Sequence, residues 1–216
     1  MNKTNVGLVE FAKSKLNLPT IYMLSGFGRR LTEAMIQKRI ASGCTHTIKY
    51  KSIIRAGIGK YVYDCGGLIK GYLWETSPGV VGYNNPVGSD QNAKMMYKGA
   101  KVKGPIATMP DIKGLLVMTA DLGHVGIYIG RDSAGNRQYI EASPAFSKWK
   151  VFQSNDTLRQ WTYWAKYQWI DYIEEPVVQV VEKIVYVDKI VEVENPINAI
   201  FNDGRIEVTV KSIASK

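Results

Sequence analysis

The chain is short of the residues that most often carry chemistry. Its 216 positions hold two cysteines, Cys44 and Cys65, and two histidines, His46 and His124. Two cysteines do not make a disulfide framework, so at least one is available for other work. No apolar run approaches the ~18–20 residues of a membrane span, so no stable membrane insertion is expected. The opening stretch, MNKTNVGLVEFAKSKLNL, is not built like a signal peptide: Glu10, Lys13 and Lys15 interrupt the apolar run and no small-residue cleavage site follows. The expectation is a product made in the cytoplasm. Helix-turn-helix, zinc-finger and RNA-reading signatures are missing too, which argues against a nucleic-acid partner.

What is present is an ordinary apolar content of 45% and an uneven charge. Residues 1–175 carry 23 basic and 13 acidic side chains, a net of +10, whereas residues 176–216 carry 5 and 6, a net of −1. A basic body is drawn to polyanions such as an anionic cell wall; a merely solvated basic surface has the same composition. The shift in composition predicts a domain over 1–175 and a separate tail over 176–216.

Helical spacing of Val6, Val9, Ala12 and Leu16 after Thr4 predicts a capped first helix. LPTIYMLSGFGRR reads as a breaker-rich loop, LTEAMIQKRIASG as a second helix stopped by Gly43, and residues 76–104 as a long irregular excursion. The period then changes. GLLVMTA, HVGIYIGR, RQYIEAS and WTYWAKYQWIDYI are β-rich runs separated by turn signals. Helices followed by an antiparallel meander indicate an α+β domain. In the last run, Trp161, Tyr163, Tyr167 and Trp169 fall on one strand face, suited to core packing or to holding a sugar or peptide.

The most informative stretch is YVYDCGGLIKGYLW. Leu68, Ile69, Tyr72 and Leu73 make one helical face, and Asp64 is a natural N-cap. Cys65 then lies in the first turn, where the helix dipole and free N–H groups favour a thiolate. Gly66 and Gly67 leave bare backbone for a substrate's close approach. A small buried hydrophobe at a helix start would look the same. A thiolate nucleophile needs a base. His124 opens an alternating strand pattern, while His46 lies in the loop-like SGCTHT. The group that orients the imidazole should come from a neighbouring strand, and Glu141 in QYIEAS is placed for it, unless it is a solvated edge charge. Cys44, His46, Cys65 and His124 amount to four nominal zinc ligands, but their spacing matches no usual zinc signature, so no metal is expected.

YDCGGLI, GHVGIYIG and YIEAS together resemble the NlpC/P60 family of peptidoglycan peptidases, over roughly residues 3–172. The resemblance implies a papain-like α+β domain, with Cys65 as nucleophile and His124 as its base, and no cofactor. IYMLSGFG resembles the family's Tyr-x-x-Gly-Gly segment, which implies that Tyr22 stands beside the nucleophile as an oxyanion or substrate-orienting group. Two positions depart from the family pattern: Glu141 stands where a histidine is usual, and Ser25 where the first loop glycine is common. The function implied is bacteriolytic cleavage of a stem-peptide amide in peptidoglycan, as by a phage endolysin. An N-acetylmuramoyl-L-alanine amidase using the same Cys-His pair, or a non-catalytic wall-binding or phage structural module, are the alternatives.

The tail contains the near-repeat EKIVYVDKIVEV. Ile173, Val177, Val180, Ile184, Val187 and Val191 follow coiled-coil spacing, which slightly favours helix over strand and suggests a homo-oligomer through 176–216. INAIFNDGRIEVTV reads as a hairpin turning at Asn202-Asp203-Gly204, which alone is marginal in water.

Overall fold

The computed structural model describes residues 3–77 and 79–173, and the strand segments 184–186, 199–202 and 205–209. The chain divides into two units, Met1–Glu174 and Glu175–Lys216. No helix among the described residues is long and apolar enough to cross a membrane.

The first unit is mixed α+β. Helix α1 (Asn5–Leu16) starts where Thr4 Oγ1 accepts the Gly7 N–H, as the sequence predicts. The stretch read as a loop instead forms β1 (Thr20–Tyr22) and β2 (Phe27–Arg30). Both flank β3 (Tyr61–Tyr63), β1 in parallel and β2 antiparallel. Three- and four-residue strands are too short to leave a period, so only the pairing identifies them. Between them, α2 (Glu33–Ala41), α3 (Thr45–Lys49) and α4 (Lys51–Arg55) cover a small core of Ile21, Met23, Leu31, Ile36, Ile54 and Val62.

Helix α5 (Cys65–Trp74) follows β3 directly. The excursion after it is less irregular than its composition suggests. It holds the ribbon β4 (Glu75–Ser77) and β5 (Val80–Val81), then α6 (Ala93–Gly99), capped by Asn92.

The main sheet is built from β6 (Lys103–Pro105), β7 (Leu116–Met118), β8 (Val125–Arg131), β9 (Arg137–Ser143), β10 (Lys150–Asn155) and β11 (Tyr163–Ala165), in the order β10-β9-β8-β7-β11-β6. Its pairs are antiparallel. Alternate residues leave opposite faces of a strand. Leu116, Met118, Val125, Ile127, Ile140 and Ala142 pack with α1 and α5, whereas Leu115, Val117, Tyr128 and Tyr139 pack on the other face with Trp161 and Trp164. Burial on both faces explains why GLLVMTA is a continuous apolar run. The final aromatic run is not one strand with one face. Only Tyr163–Ala165 is strand; Trp161 joins the second core, Tyr167 the first, and Trp169 packs against that first core.

In the second unit, β12 (Ile184–Tyr186), β13 (Ala199–Asn202) and β14 (Arg205–Thr209) form an antiparallel sheet in the order β12-β14-β13. The expected hairpin is β13–β14, with Asn202 opposite Arg205. Its Asp203-Gly204 turn lies outside the described residues. Strand β12 supplies the third strand that a marginal hairpin lacks. The slight preference for helix in the β-branched repeat is overturned at Ile184, which is strand; dense β-branching favours a pleated partner over a helical turn. Val177, Val180, Val187 and Val191 lie outside the described residues.

Candidate active site

Asp64 starts α5 by local chemistry. Its Oδ1 accepts the Gly67 N–H and its Oδ2 accepts the Ser25 N–H at 2.6 Å, tying the helix start to the β1–β2 loop. Ser25, where the family pattern has glycine, adopts a left-handed φ of 66°. The Asp64 N–H in turn donates to the Gly26 carbonyl. Burial pushes the Asp64 carboxyl above its ordinary value, against the pull of Lys70 and the two backbone donors. Capping by such a side chain contributes ~0.5–2 kcal/mol.

The two glycines after Cys65 have different reasons. A Cβ at Gly67 would lie 1.6 Å from the Gly26 carbonyl oxygen, so Gly67 lets the helix seat on the loop. The expectation that it opens space for substrate is corrected: its open side is filled by backbone. Gly66 does face the space beside the sulfur, where an added Cβ would come no nearer than 3.4 Å to Met96 and 3.5 Å to the Gln91 carbonyl. Both Cys65 and Gly66 line a cavity of about 370 Å³, with Ser25, Asp90, Asn92 and Gly123 around it. A larger cavity of about 660 Å³, among Phe11, Tyr61, Tyr63 and Tyr72, contains none of the predicted site residues.

The Cys65 sulfur sits against the backbone N–H groups of Val125 and Gly66. Those donors and Lys70 favour the thiolate, but burial and then the Asp64 carboxylate outweigh them and push the thiol up to about 12. The expected dipole-lowered pKa is therefore corrected. A helix terminus offers a fraction of a charge, while removal from water and a neighbouring anion act in full. Cys65 is a protonated thiol at neutral pH and needs a base to become a nucleophile.

His124, the candidate base, stands one residue before Val125. A tight turn delivers it: Asp121 Oδ1 accepts from Thr119 Oγ1 and from the Gly123 N–H, Leu122 takes a φ of 55°, and the His124 N–H donates to Thr119 Oγ1. His124 Nε2 lies 2.7 Å from Glu141 Oε2. Glu141 is completely buried. Burial opposes its charge, yet the hydrogen bond and charge of His124, with the hydrogen bonds of Arg159, hold the carboxyl below the ordinary 4.5. An ionised carboxylate only accepts, so Nε2 carries a proton, and in the neutral ring the lone pair is on Nδ1. The stability from this ionisation is complete above the ordinary value and is lost as pH falls through the lowered one.

The two faces of the sheet set the route to this contact. Ile127 belongs to the core facing α5, and Ile129 packs against that core. Glu141 shares the parity of Tyr139 and lies on the opposite face. His124 meets it because it has the parity of Gly126 and Tyr128, and its ring stacks on Trp161 with centroids 5.7 Å apart and planes 10° apart. Cys65 on α5 and the His124 ring thus lie toward opposite faces of the sheet near the start of β8, where the Cys65 sulfur meets the N–H of Val125.

Tyr22 ends β1 beside this point. Its phenol is raised far above normal, first by burial and then by the charges of Cys65, Asp64 and Cys44. The Tyr22 ring also packs edge-on to His46 and Trp149. His46, read as loop, lies in the short helix α3, and Cys44 is that helix's N-cap. The four nominal zinc ligands do not converge: among the described residues there is no group of three or more His, Cys, Asp or Glu side chains that could hold a metal ion.

Sequence reasoning missed Arg159. Its Nε and Nη2 donate to Glu141 Oε1 and Oε2 at 3.2 and 2.7 Å, and Nη2 also reaches Ser143 Oγ. The residue sits in DTLRQW, between two runs, with no periodic or motif signal. Lys70, buried on α5 and paired with Asp90 at 2.5 Å, was missed as well, because its helical position reads as surface. No protein-family model matches the chain, and no curated protein or solved structure matches it either.

Proposed function

We propose that this protein is a peptidoglycan hydrolase of the cysteine-peptidase type, with a papain-like domain of NlpC/P60 character, acting as a phage endolysin in host lysis. One observation carries the reading: the Cys65 sulfur lies against the Val125 N–H at the rim of a cavity, and the adjacent His124 is oriented by the buried Glu141. The resemblance of the cysteine and histidine boxes and the basic body add the substrate class.

In this reading His124 Nδ1 takes the proton from Cys65 Sγ as the sulfur attacks the amide carbonyl carbon. The oxyanion accepts hydrogen bonds from the Cys65 N–H and the Tyr22 hydroxyl. The C–N bond then breaks, and the imidazolium protonates the departing amine, leaving a thioester. Water attacks the thioester carbonyl, giving its proton to Nδ1; that proton returns to sulfur as the C–S bond breaks. Glu141 keeps the imidazole in the productive tautomer throughout and stays ionised.

The test is mass spectrometry of purified walls after digestion. New amine termini within stem peptides support endopeptidase action. Free lactyl groups on muramic acid would replace the bond assignment with that of an amidase. No products with wild-type protein, alongside binding to walls, would leave a wall-binding module. The tail's part in wall targeting or self-association has a separate test. Residues 1–174 should cleave a soluble stem peptide at an undiminished rate while clearing whole cells more slowly; equal clearing would remove the tail from targeting.

A further inference from the structure

Glu141 faces a conflict that the Cys-His pair does not resolve. A fully buried carboxylate beside an imidazole orients it, but also stabilises the imidazolium, which cannot accept a proton from a thiol. Arg159 also meets Glu141, with its two-pronged fork on both carboxylate oxygens and its Nη2 on the same Oε2 that His124 Nε2 meets. Its own placement is over-determined. The Arg159 N–H donates to the Asn155 carbonyl, and Asn155 Oδ1 accepts the Leu158 N–H, which sets the turn after β10. The guanidinium carbon lies 4.9 Å from the Phe146 ring centre and 5.8 Å from that of Trp161, the ring that also stacks on His124. Phe146 is held in a left-handed conformation with φ 54°, as are Ser147 and Trp149 on the same loop. Such backbone persists where surrounding contacts outweigh its cost.

We propose that Arg159 is a positioning residue of the site. It fixes both oxygens of Glu141 and offsets their charge, so that the carboxylate directs the His124 tautomer without holding the ring in its protonated form. The charged groups around the imidazole are Glu141 on β9, Asp121 in the preceding turn and, through Glu141, Arg159 after β10; the Cys65 sulfur on α5 lies by the N–H of the next residue, Val125. Arg159 is the cation in that set. Its role in catalysis rests on the hydrolase reading; its electrostatic role does not.

The experiment is an NMR titration of the His124 ring protons in wild type, Arg159→Gln, Arg159→Lys, Glu141→Gln and the Glu141→Gln/Arg159→Gln double variant, with His46 as internal reference. It is paired with the pH profile of kcat/KM on a stem peptide. In Arg159→Gln the His124 midpoint should rise by on the order of one pH unit, the size of effect a close charge exerts. The acid limb of the rate profile should move with it. In Arg159→Lys the midpoint should return toward wild type while kcat stays reduced, because a point charge replaces a two-donor fork. With Glu141→Gln already present, Arg159→Gln should add no further shift. An unmoved midpoint in folded Arg159→Gln, or a lower melting temperature with an unchanged rate profile, overturns the proposal and leaves Arg159 as a structural brace. Should Arg159→Gln fail to fold, full wild-type kcat in Arg159→Lys overturns the positioning role. If the midpoints shift as stated but wild-type protein releases nothing from walls, the inference stands and the hydrolase reading falls.

Discussion

Two cysteine–histidine neighbourhoods flank Tyr22, and they differ in what surrounds them. Cys65 begins the ten-residue α5, is capped by Asp64, and has its sulfur against the N–H of Val125; the preceding residue, His124, is hydrogen-bonded to a carboxylate that an arginine also holds. Cys44 begins the five-residue α3, which has no side-chain cap. Its histidine, His46, is packed among Tyr22, Tyr50 and Trp149, and its Nδ1 is buried without a partner. Acidity runs the other way. Burial opposes the Cys44 thiolate, but hydrogen bonds from Thr47 and the Arg39 charge bring its pKa below the ordinary 9.0, whereas Cys65 is pushed up to about 12. The lesson is that thiol acidity and nucleophilic fitness are separate properties. Cys44 has the acidity without an oriented base. On the proposed reading Cys65 has the base, His124, and ionises as it reacts.

The largest expected effect tests that contrast directly. Cys65→Ser should lower turnover of walls or a stem peptide by at least ~10³-fold with the fold intact by circular dichroism, and His124→Ala should do the same, since the two act as one unit. Cys44→Ser and His46→Gln should leave turnover within about twofold. An inactive, folded Cys44→Ser with an active Cys65→Ser would exchange the two neighbourhoods.

Next comes the anchoring of α5. Gly67→Ala drives a Cβ onto the Gly26 carbonyl and should destabilise the domain by roughly 3 kcal/mol or prevent folding, because backbone must move. Gly66→Ala meets only ordinary contacts and should change stability by less than about 1 kcal/mol, while impeding substrate. Thermal melts distinguish them; equal melting temperatures would contradict the seating of α5 on the loop.

A smaller effect concerns the oxygen at Tyr22. Tyr22→Phe should cost about 10–10³-fold in kcat with little change in KM, as expected for a donor used in the transition state. Unchanged kcat would take the hydroxyl out of the oxyanion site.

The subtlest test is chemical. Iodoacetamide labelling followed by mass spectrometry from about pH 6 to about pH 10 should modify Cys44 at lower pH than Cys65, because the thiolate is the reacting form. The order follows from the opposite directions of their shifts. Preferential labelling of Cys65 at about pH 6 would mean that Cys65 and His124 rest as a thiolate–imidazolium pair.

Much of the site was legible in the sequence because its signals are local. Asp64 capping the helix of Cys65, the strand pattern opened by His124 and the candidate carboxylate Glu141 all depend on neighbours within a few residues, and capping and alternation are short-range effects. The same locality misled where local signals conflict. Dense β-branching at Ile184 suited helix spacing and strand alike, and pairing with β14 decided it. Three-residue β1 and β3 carry no period, and they exist because they pair with each other.

The sequence by itself determined where the helix of Cys65 starts, which residues are candidates for chemistry, and that a separate tail follows a basic body. Tertiary structure alone decided that Gly67 answers to a carbonyl forty-one positions earlier in the chain, at Gly26. It also decided that His124 reaches Glu141 across the face opposite α5, that Arg159 closes on that carboxylate, and that burial overrides the helix dipole at Cys65. The physical reason is common to all of these. Capping and periodicity act within a turn or a strand, while desolvation, charge pairing and close backbone approach depend on which distant segments exclude water from the same place.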